Sequence, residues 1–187
     1  MSTNLAELPS SLPVPVDDGG ADHIAGLKLP DLALPASGGS TVQLASLRGW
    51  VVIYVYPMTG QPGVPLPNGW DEIPGARGCT PQSISFRDRF AKLQTFNTRV
   101  FGLSSQSTEY QREAHDRLQL PFELLSDSPF RMKEALRLPT FVVQGIELYK
   151  RLTLIIEDAT IKKVFYPVFP PDKNVDEVLT WLSSKAK

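Results

Sequence analysis

An α/β fold, with a mixed central β-sheet flanked by helices on both faces, is what this sequence predicts, and three observations carry it. Strand-like and helix-like segments alternate through the first half of the chain. A hairpin-like pair of strands and an amphipathic helix close it. Between them Trp50 to Tyr56 (WVVIYVY) is an unbroken β-branched and aromatic run, the pattern of a strand covered on both faces. A chain of 187 residues suits one domain of ordinary size with a sizeable core.

The elements follow in order. Residues 1–25, rich in Pro, Ser, Gly and Asp, read as a flexible N-terminal segment, either a mobile tail or a surface wrap. The domain proper is expected over 26–187. Leu27 to Pro35 alternates like a short edge strand, Gly38-Gly39-Ser40 is a turn, and Val42-Gln43-Leu44 starts the next element. Pro57 ends the buried run. A Pro/Gly-rich loop over 58–78, holding Pro62, Pro65, Pro67, Pro74 and Trp70, then leads to Cys79; loops this long are uncommon, and a lid or pocket wall is expected. A helix is expected from Thr80 to Asn97, burying Phe86, Phe90 and Leu93. Arg99 to Ser104 reads as a second buried strand, and Ser107 or Thr108 caps a helix to Leu118 with His115 on its polar face. Pro121 to Asp127 is a short strand and turn, and Arg131 to Leu138 a short helix. Tyr149 to Ile156 and Thr160 to Tyr166 are strands joined by Glu157-Asp158-Ala159. A final helix, Val175 to Ser183, buries Val175, Val178, Leu179 and Leu182.

Composition removes several function classes. The net charge of −1 provides no basic stripe, so neither nucleic acid nor an anionic membrane surface is an expected partner. The longest apolar run is far too short to span a bilayer. His23, His115 and Cys79 lie far apart in sequence and make a poor metal set, so neither metal nor cofactor is expected. One cysteine fits a reducing compartment, and no charged and then apolar leader pattern opens the sequence; the expected location is cytoplasmic.

Cys79 carries the chemistry. Gly75-Ala76-Arg77-Gly78 is a Gly-punctuated turn, and Pro81 stands near the first helical position, so the thiol lies at a helix start. Unpaired N–H groups and the positive dipole end there favour thiolate over thiol, and Arg77 stands nearby. The competing reading of a lone cysteine is a small core hydrophobe.

Six segments resemble a known family. Leu29-Pro30-Asp31-Leu32-Ala33-Leu34 is similar to the opening "APDFTL" element of the peroxiredoxins, and Val51 to Pro57 to their strand ending in "FYP". Gly78-Cys79-Thr80-Pro81-Gln82 with Phe86-Arg87-Asp88 looks like "GCTxE…FRD". Gly102-Leu103-Ser104-Ser105 looks like "GIS", and Leu120 to Asp127 like "LPFPLLSD". Arg151 to Ile156 is similar to the strand bearing the family's active-site arginine. The chain thus resembles the peroxiredoxins of the bacterioferritin comigratory protein (Q-type) branch, within the thioredoxin-like superfamily.

The resemblance implies a thioredoxin-like fold and a thiol peroxidase. Cys79 would attack a hydroperoxide and become a sulfenic acid. Arg151 would hold the thiolate's charge and the oxygens on which charge develops. Backbone N–H groups at Gly78 and Cys79 would complete the anion cradle, Pro57 would shield the sulfur from water, and Gln82 would help orient a side chain near the arginine. Three positions depart from the pattern. Glu72 stands where the family carries a proline seven residues before the cysteine, so Pro57 matches only across an insertion of about fourteen residues. Ala76 stands where the family carries a peroxide-binding Thr or Ser, for which Thr59, Thr80 or a backbone group of the inserted loop could substitute. Ile84 stands where many members carry a second cysteine, so the sulfenic acid would be reduced by an external thiol, glutathione or a thioredoxin-type protein. The expected assembly is a monomer or homodimer. The alternative is a weakly catalytic or non-catalytic redox-sensing member of the same fold. Disulfide exchange and acyl transfer are disfavoured, since Cys79 lacks a second cysteine two residues away and no histidine is predicted to approach it.

Overall fold

The structure, a computed structural model, describes residues 4–185. Its first strands, β1 (Ala33–Pro35) and β2 (Thr41–Gln43), form a small antiparallel pair around the Gly38-Gly39 turn. The buried run becomes β3 (Trp50–Val55), followed by the 58–78 loop. Next come α1 (Cys79–Asp88), α2 (Phe90–Gln94), β4 (Arg99–Ser104), α3 (Thr108–Leu118), β5 (Leu124–Ser126) and α4 (Arg131–Leu136). A hairpin of β6 (Thr140–Val143) and β7 (Ile146–Tyr149) precedes β8 (Leu152–Glu157), β9 (Thr160–Phe165) and α5 (Asn174–Lys185).

The main sheet runs β5-β4-β3-β8-β9. β3, β4 and β5 are parallel, while β8 and β9 are antiparallel to their neighbours, so the sheet is mixed. Because side chains alternate along a strand, β3 feeds two cores. Val51, Ile53 and Val55 pack on one face with Met132 and Leu136 of α4 and with Leu152, Leu154 and Ile156 of β8. Val52, Tyr54 and Tyr56 pack on the other with Phe86, Leu93, Ala114, Val175 and Val178 from α1, α2, α3 and α5. Tyr54 stacks on Phe86 at a centroid distance of 4.5 Å, which seats α1 on the sheet.

Three segments differ from expectation. The helix expected over 80–97 turns at Arg89, whose N–H donates back to Ser85 and Arg87, and continues as α2. The β6–β7 hairpin falls in a stretch that carries no sequence expectation; Gln144 and Gly145, both at positive φ, make its two-residue turn. It also ends the strand expected at Tyr149 early, leaving Lys150 and Arg151 as a two-residue link before β8. The 58–78 loop has a small core of its own, in which Trp70 and Ala76 pack against Val143 and Leu148 of the hairpin. Residues 4–25 run along the body: Ala21 and Ile24 enter the main core, while residues 4–16 lie across the Cys79 loop with none of them buried.

Candidate active site

Gly78 decides how the site begins. Its φ of +105° is a conformation that L side chains rarely adopt, and it turns the chain from the loop directly into α1 at Cys79. A Cβ there would come 2.8 Å from Leu8 Cδ2 and would collide with Pro171, so backbone bareness is needed on steric grounds too. Cys79 is thus the first helical residue, its sulfur at the end where backbone N–H groups have no intrahelical acceptor.

Cys79 is buried, only 3% exposed. It packs in the core of Tyr54, Tyr56 and Phe86, as the hydrophobe reading requires. It is not surrounded by hydrocarbon alone, however. Arg151 Nη2 lies 3.1 Å from Sγ. The register Val55↔Leu152 explains this: it sets the residue before β8 beside the end of β3, the carboxyl edge of the parallel strands, where the 58–78 loop also returns to α1.

Arg151 is 3% exposed and fully engaged. Its Nε donates to Gly75 O (3.3 Å) and Nη1 to Gln82 Oε1 (2.5 Å). Nη2 divides two hydrogens among Ala76 O (3.0 Å), Arg77 O (3.2 Å) and Cys79 Sγ. All these acceptors are neutral except the sulfur when ionised. A guanidinium buried without a counter-charge is costly, and of these acceptors only the sulfur is one that could carry a negative charge.

A further layer fixes the arginine. Gln82 Nε2 donates to Asn174 Oδ1 (3.2 Å), which also accepts from Thr153 Oγ1 (2.6 Å), while Asn174 Nδ2 donates to Glu177 Oε2 (3.3 Å). Gln82, Thr153 and Asn174 are all fully buried. The order Sγ–Arg151–Gln82–Asn174–Thr153 ties α1, β8 and α5 together through polar contacts, and every member is matched. Asn174 and Thr153 escape sequence reasoning. Asn174 stands just before the expected helix start and reads as an ordinary cap, whereas its side chain turns inward.

Tyr54 and Tyr56 complete the inner wall. Tyr54 donates to Ser83 Oγ (3.1 Å) and Tyr56 to Gln111 Oε1 (2.5 Å). Burial, before any other cause, pushes both phenols well above their ordinary range, so they stay neutral donors beside Cys79.

The remaining sequence candidates fall as follows. Pro57 is buried at the end of β3, and Thr80 is buried at the second position of α1. Thr59 gives both its N–H and its hydroxyl to Gln106 Oε1. Ala76 enters the network through its carbonyl, which accepts from Arg151 and, at 3.6 Å, from the Cys79 thiol. His115 faces Asp116 on α3. Lys150, beside Arg151, pairs with Asp18 of the N-terminal segment. A largely apolar cavity of about 320 Å³ opens beside Arg151, between Val14–Val16, Ile73–Gly75 and Tyr166–Val168. Among the described residues no cluster of three metal-ligating side chains occurs, and no helix is long and apolar enough to cross a membrane.

Comparison with known proteins adds to this geometry. The Redoxin family profile matches residues 24–179. The chain is 30% identical over 159 residues to a chloroplastic peroxiredoxin Q of Sedum lineare, covering 83% of this chain and 75% of that one. It is 28% identical over 186 residues to one of Gentiana triflora, covering 96% and 78%. In structure it is similar to the peroxidoxin BcpB of Mycobacterium tuberculosis, with a TM-score of 0.71 at 22% identity over 87% of this chain and 98% of that one.

Proposed function

This chain belongs to the Redoxin family, among the peroxiredoxins of the Q type, and from that premise we propose that Cys79 is the peroxidatic thiolate of a thiol-dependent peroxidase that reduces hydrogen peroxide and organic hydroperoxides. The observation that carries the assignment is the 3.1 Å contact between Sγ and a buried guanidinium that has no acidic partner among the described residues.

The Cys79 thiolate attacks the distal oxygen of ROOH in line with the O–O bond. The S–O bond forms as O–O breaks, and the electron pair leaves on the alkoxide, which takes a proton to become ROH. For hydrogen peroxide the leaving group becomes water. Sulfur is oxidised to the sulfenic acid and the peroxide is reduced. Arg151 Nη2, shared among three acceptors in the resting site, donates to the oxygens as charge grows on them. Gln82 and Asn174 hold the guanidinium in place, so little reorganisation accompanies the reaction. The contacts of Thr59 with Gln106 leave Thr80 or the backbone of the 75–79 turn as the substitute for the missing hydroxyl at Ala76.

Recycling uses an external thiol, because the sequence holds no second cysteine. The incoming thiol attacks the sulfenic sulfur, releases water and leaves a mixed disulfide, which a second thiol resolves. Glutathione and a thioredoxin-type protein both supply that chemistry. The apolar cavity beside Arg151 supports an organic hydroperoxide with its hydrocarbon part seated there. The lone cysteine supports a reducing location, the cytoplasm, and fractionation of source cells tests it.

The test of the enzymatic reading mixes reduced protein with hydrogen peroxide or cumene hydroperoxide in a stopped-flow instrument, with intact mass read after quenching. Thiol loss much faster than that of free cysteine, with a gain of one oxygen on Cys79, is expected. A rate equal to that of free cysteine would overturn it, and one oxidation without turnover on either reductant would favour a sensor.

A further inference from the structure

Arg77, two residues before Cys79, is only 6% exposed, and its guanidinium is used unevenly. Nη1 pairs with Asp71 Oδ1 at 3.2 Å. Nη2 donates to the main-chain carbonyl of Asn4 at 2.9 Å. Nε is sealed from solvent and has no hydrogen-bond partner among the described residues. Nε–H and Nη2–H point side by side from one edge of the guanidinium, the pair that grips a carboxylate in parallel. A single carbonyl oxygen engages half of that edge and leaves the other half unmet, an arrangement buried polar groups normally avoid.

The segment that brings this carbonyl is lightly held. None of residues 4–16 is buried, and among the described residues none makes a backbone–backbone hydrogen bond to the body. Leu8 lies over Gly78, Leu5 over Gly60 and Pro15 over Gly75, so the segment rests on the loop that delivers Cys79. Its far end is pinned, because Asp18 accepts from Lys150 Nζ and from the Tyr166 hydroxyl. Displacing residues 4–16 about that anchor would uncover Gly78 and open the side-on edge of Arg77 together.

We propose that the Nε/Nη2 edge of Arg77 is a carboxylate-binding site in the turn that delivers Cys79, and that the Asn4 carbonyl is its built-in placeholder. The ligand is a carboxylate-bearing participant in the peroxidase cycle, either a glutathione-like thiol or a hydroperoxide with a carboxylate tail, and its binding displaces residues 4–16. The inference deepens the peroxidase reading and rests on it. Asp71 already offsets part of the guanidinium charge, which suits a monoanionic group.

The test uses the full chain and probes that cannot react at sulfur. Glu7 is exposed within the displaceable segment, so cleavage after it by a glutamate-specific protease reports displacement. S-methylglutathione represents the thiol source and laurate the hydroperoxide source. One of the two is expected to raise the cleavage rate several-fold and saturably, and its ester to do nothing; the probe that acts identifies the source. Arg77→Gln is expected to remove the response, and Arg77→Lys, which keeps charge without the paired edge, to weaken probe binding at least about tenfold. Should Arg77→Gln not fold, the double variant Leu5→Ala/Leu8→Ala keeps the question open to measurement, because a looser segment must lower the half-saturating probe concentration. No response to either carboxylate overturns the site, and an equal response to inorganic phosphate overturns the carboxylate assignment. Rapid thiol loss with hydrogen peroxide in the same preparation confines either failure to this inference, whereas its absence would count against the peroxidase reading instead.

Discussion

The inner and outer surroundings of Cys79 are built on opposite principles. Inside, Arg151, Gln82, Asn174 and Thr153 are buried to within a few per cent and joined by hydrogen bonds across α1, β8 and α5. Outside, Asn4 to Val16 lies on the surface, its recorded polar tie to the loop being one carbonyl on Arg77. Charge stabilisation needs groups that stay in place through a reaction, whereas the approach of peroxide and of a bulkier reductant needs groups that move. On the roles proposed for them, the fixed network serves the chemistry and the lightly held segment the access to it.

The sharpest way to break the inner wall is at its centre. Cys79→Ser should abolish the fast peroxide-dependent phase altogether. Arg151→Ala should slow peroxide-driven thiol loss by about 10²–10³, the scale for losing a positioned oxyanion donor. Arg151→Lys should recover only part of the rate, since an ammonium cannot serve Gln82, Gly75 and the sulfur together. A rate within about threefold of the parent protein for Arg151→Ala would remove that residue from the assignment.

One layer out, the effect should shift from chemistry toward stability. Asn174→Ala strands the Gln82 amide and the Thr153 hydroxyl without acceptors, so a loss of about 2–4 kcal/mol in urea unfolding is expected, with a rate decrease smaller than that of Arg151→Ala. Equal stability in the variant would show that the network does not hold α5 to β8.

The outer wall should respond in the reverse sense. Leu5→Ala/Leu8→Ala should cost under about 1 kcal/mol, because both side chains are only half-buried. Alkylation of Cys79 by a bulky maleimide should nevertheless rise several-fold, as the cover over Gly78 loosens. Unchanged alkylation would mean that access is set elsewhere.

The smallest effect concerns the anchor at Asp18. Its hydrogen bond from Lys150, then that from Tyr166, holds its carboxyl well below the usual range. A depressed carboxylate contributes stability above its unfolded value, near 3.9, and loses it as pH falls through the lower folded value. Cleavage after Glu7 should therefore be insensitive to this group between about pH 8 and pH 5, and should accelerate only in strong acid. In Asp18→Asn the acid step should disappear.

Much of this protein was readable from local signals. The β-branched run of β3 and the Ser107 cap of α3 act within a few residues, and so does the Gly78 turn that puts Cys79 at a helix start. Arg151 was reached through resemblance to a family motif, and local periodicity placed it mid-strand rather than in the link before β8. Asn174 gave no inward signal, since an asparagine before a helix satisfies local rules without any tertiary role.

The sequence by itself determined the alternation of strands and helices, the single sulfur and its position at a helix start, because propensity, turn chemistry and hydrophobic period are properties of short stretches. Only the tertiary structure decided which cation meets that sulfur from 72 residues away, which buried amide steadies it, and that the N-terminal segment lies across the Cys79 loop. Those contacts depend on strand register and on packing between distant elements, and short stretches of sequence do not encode where their distant partners will be.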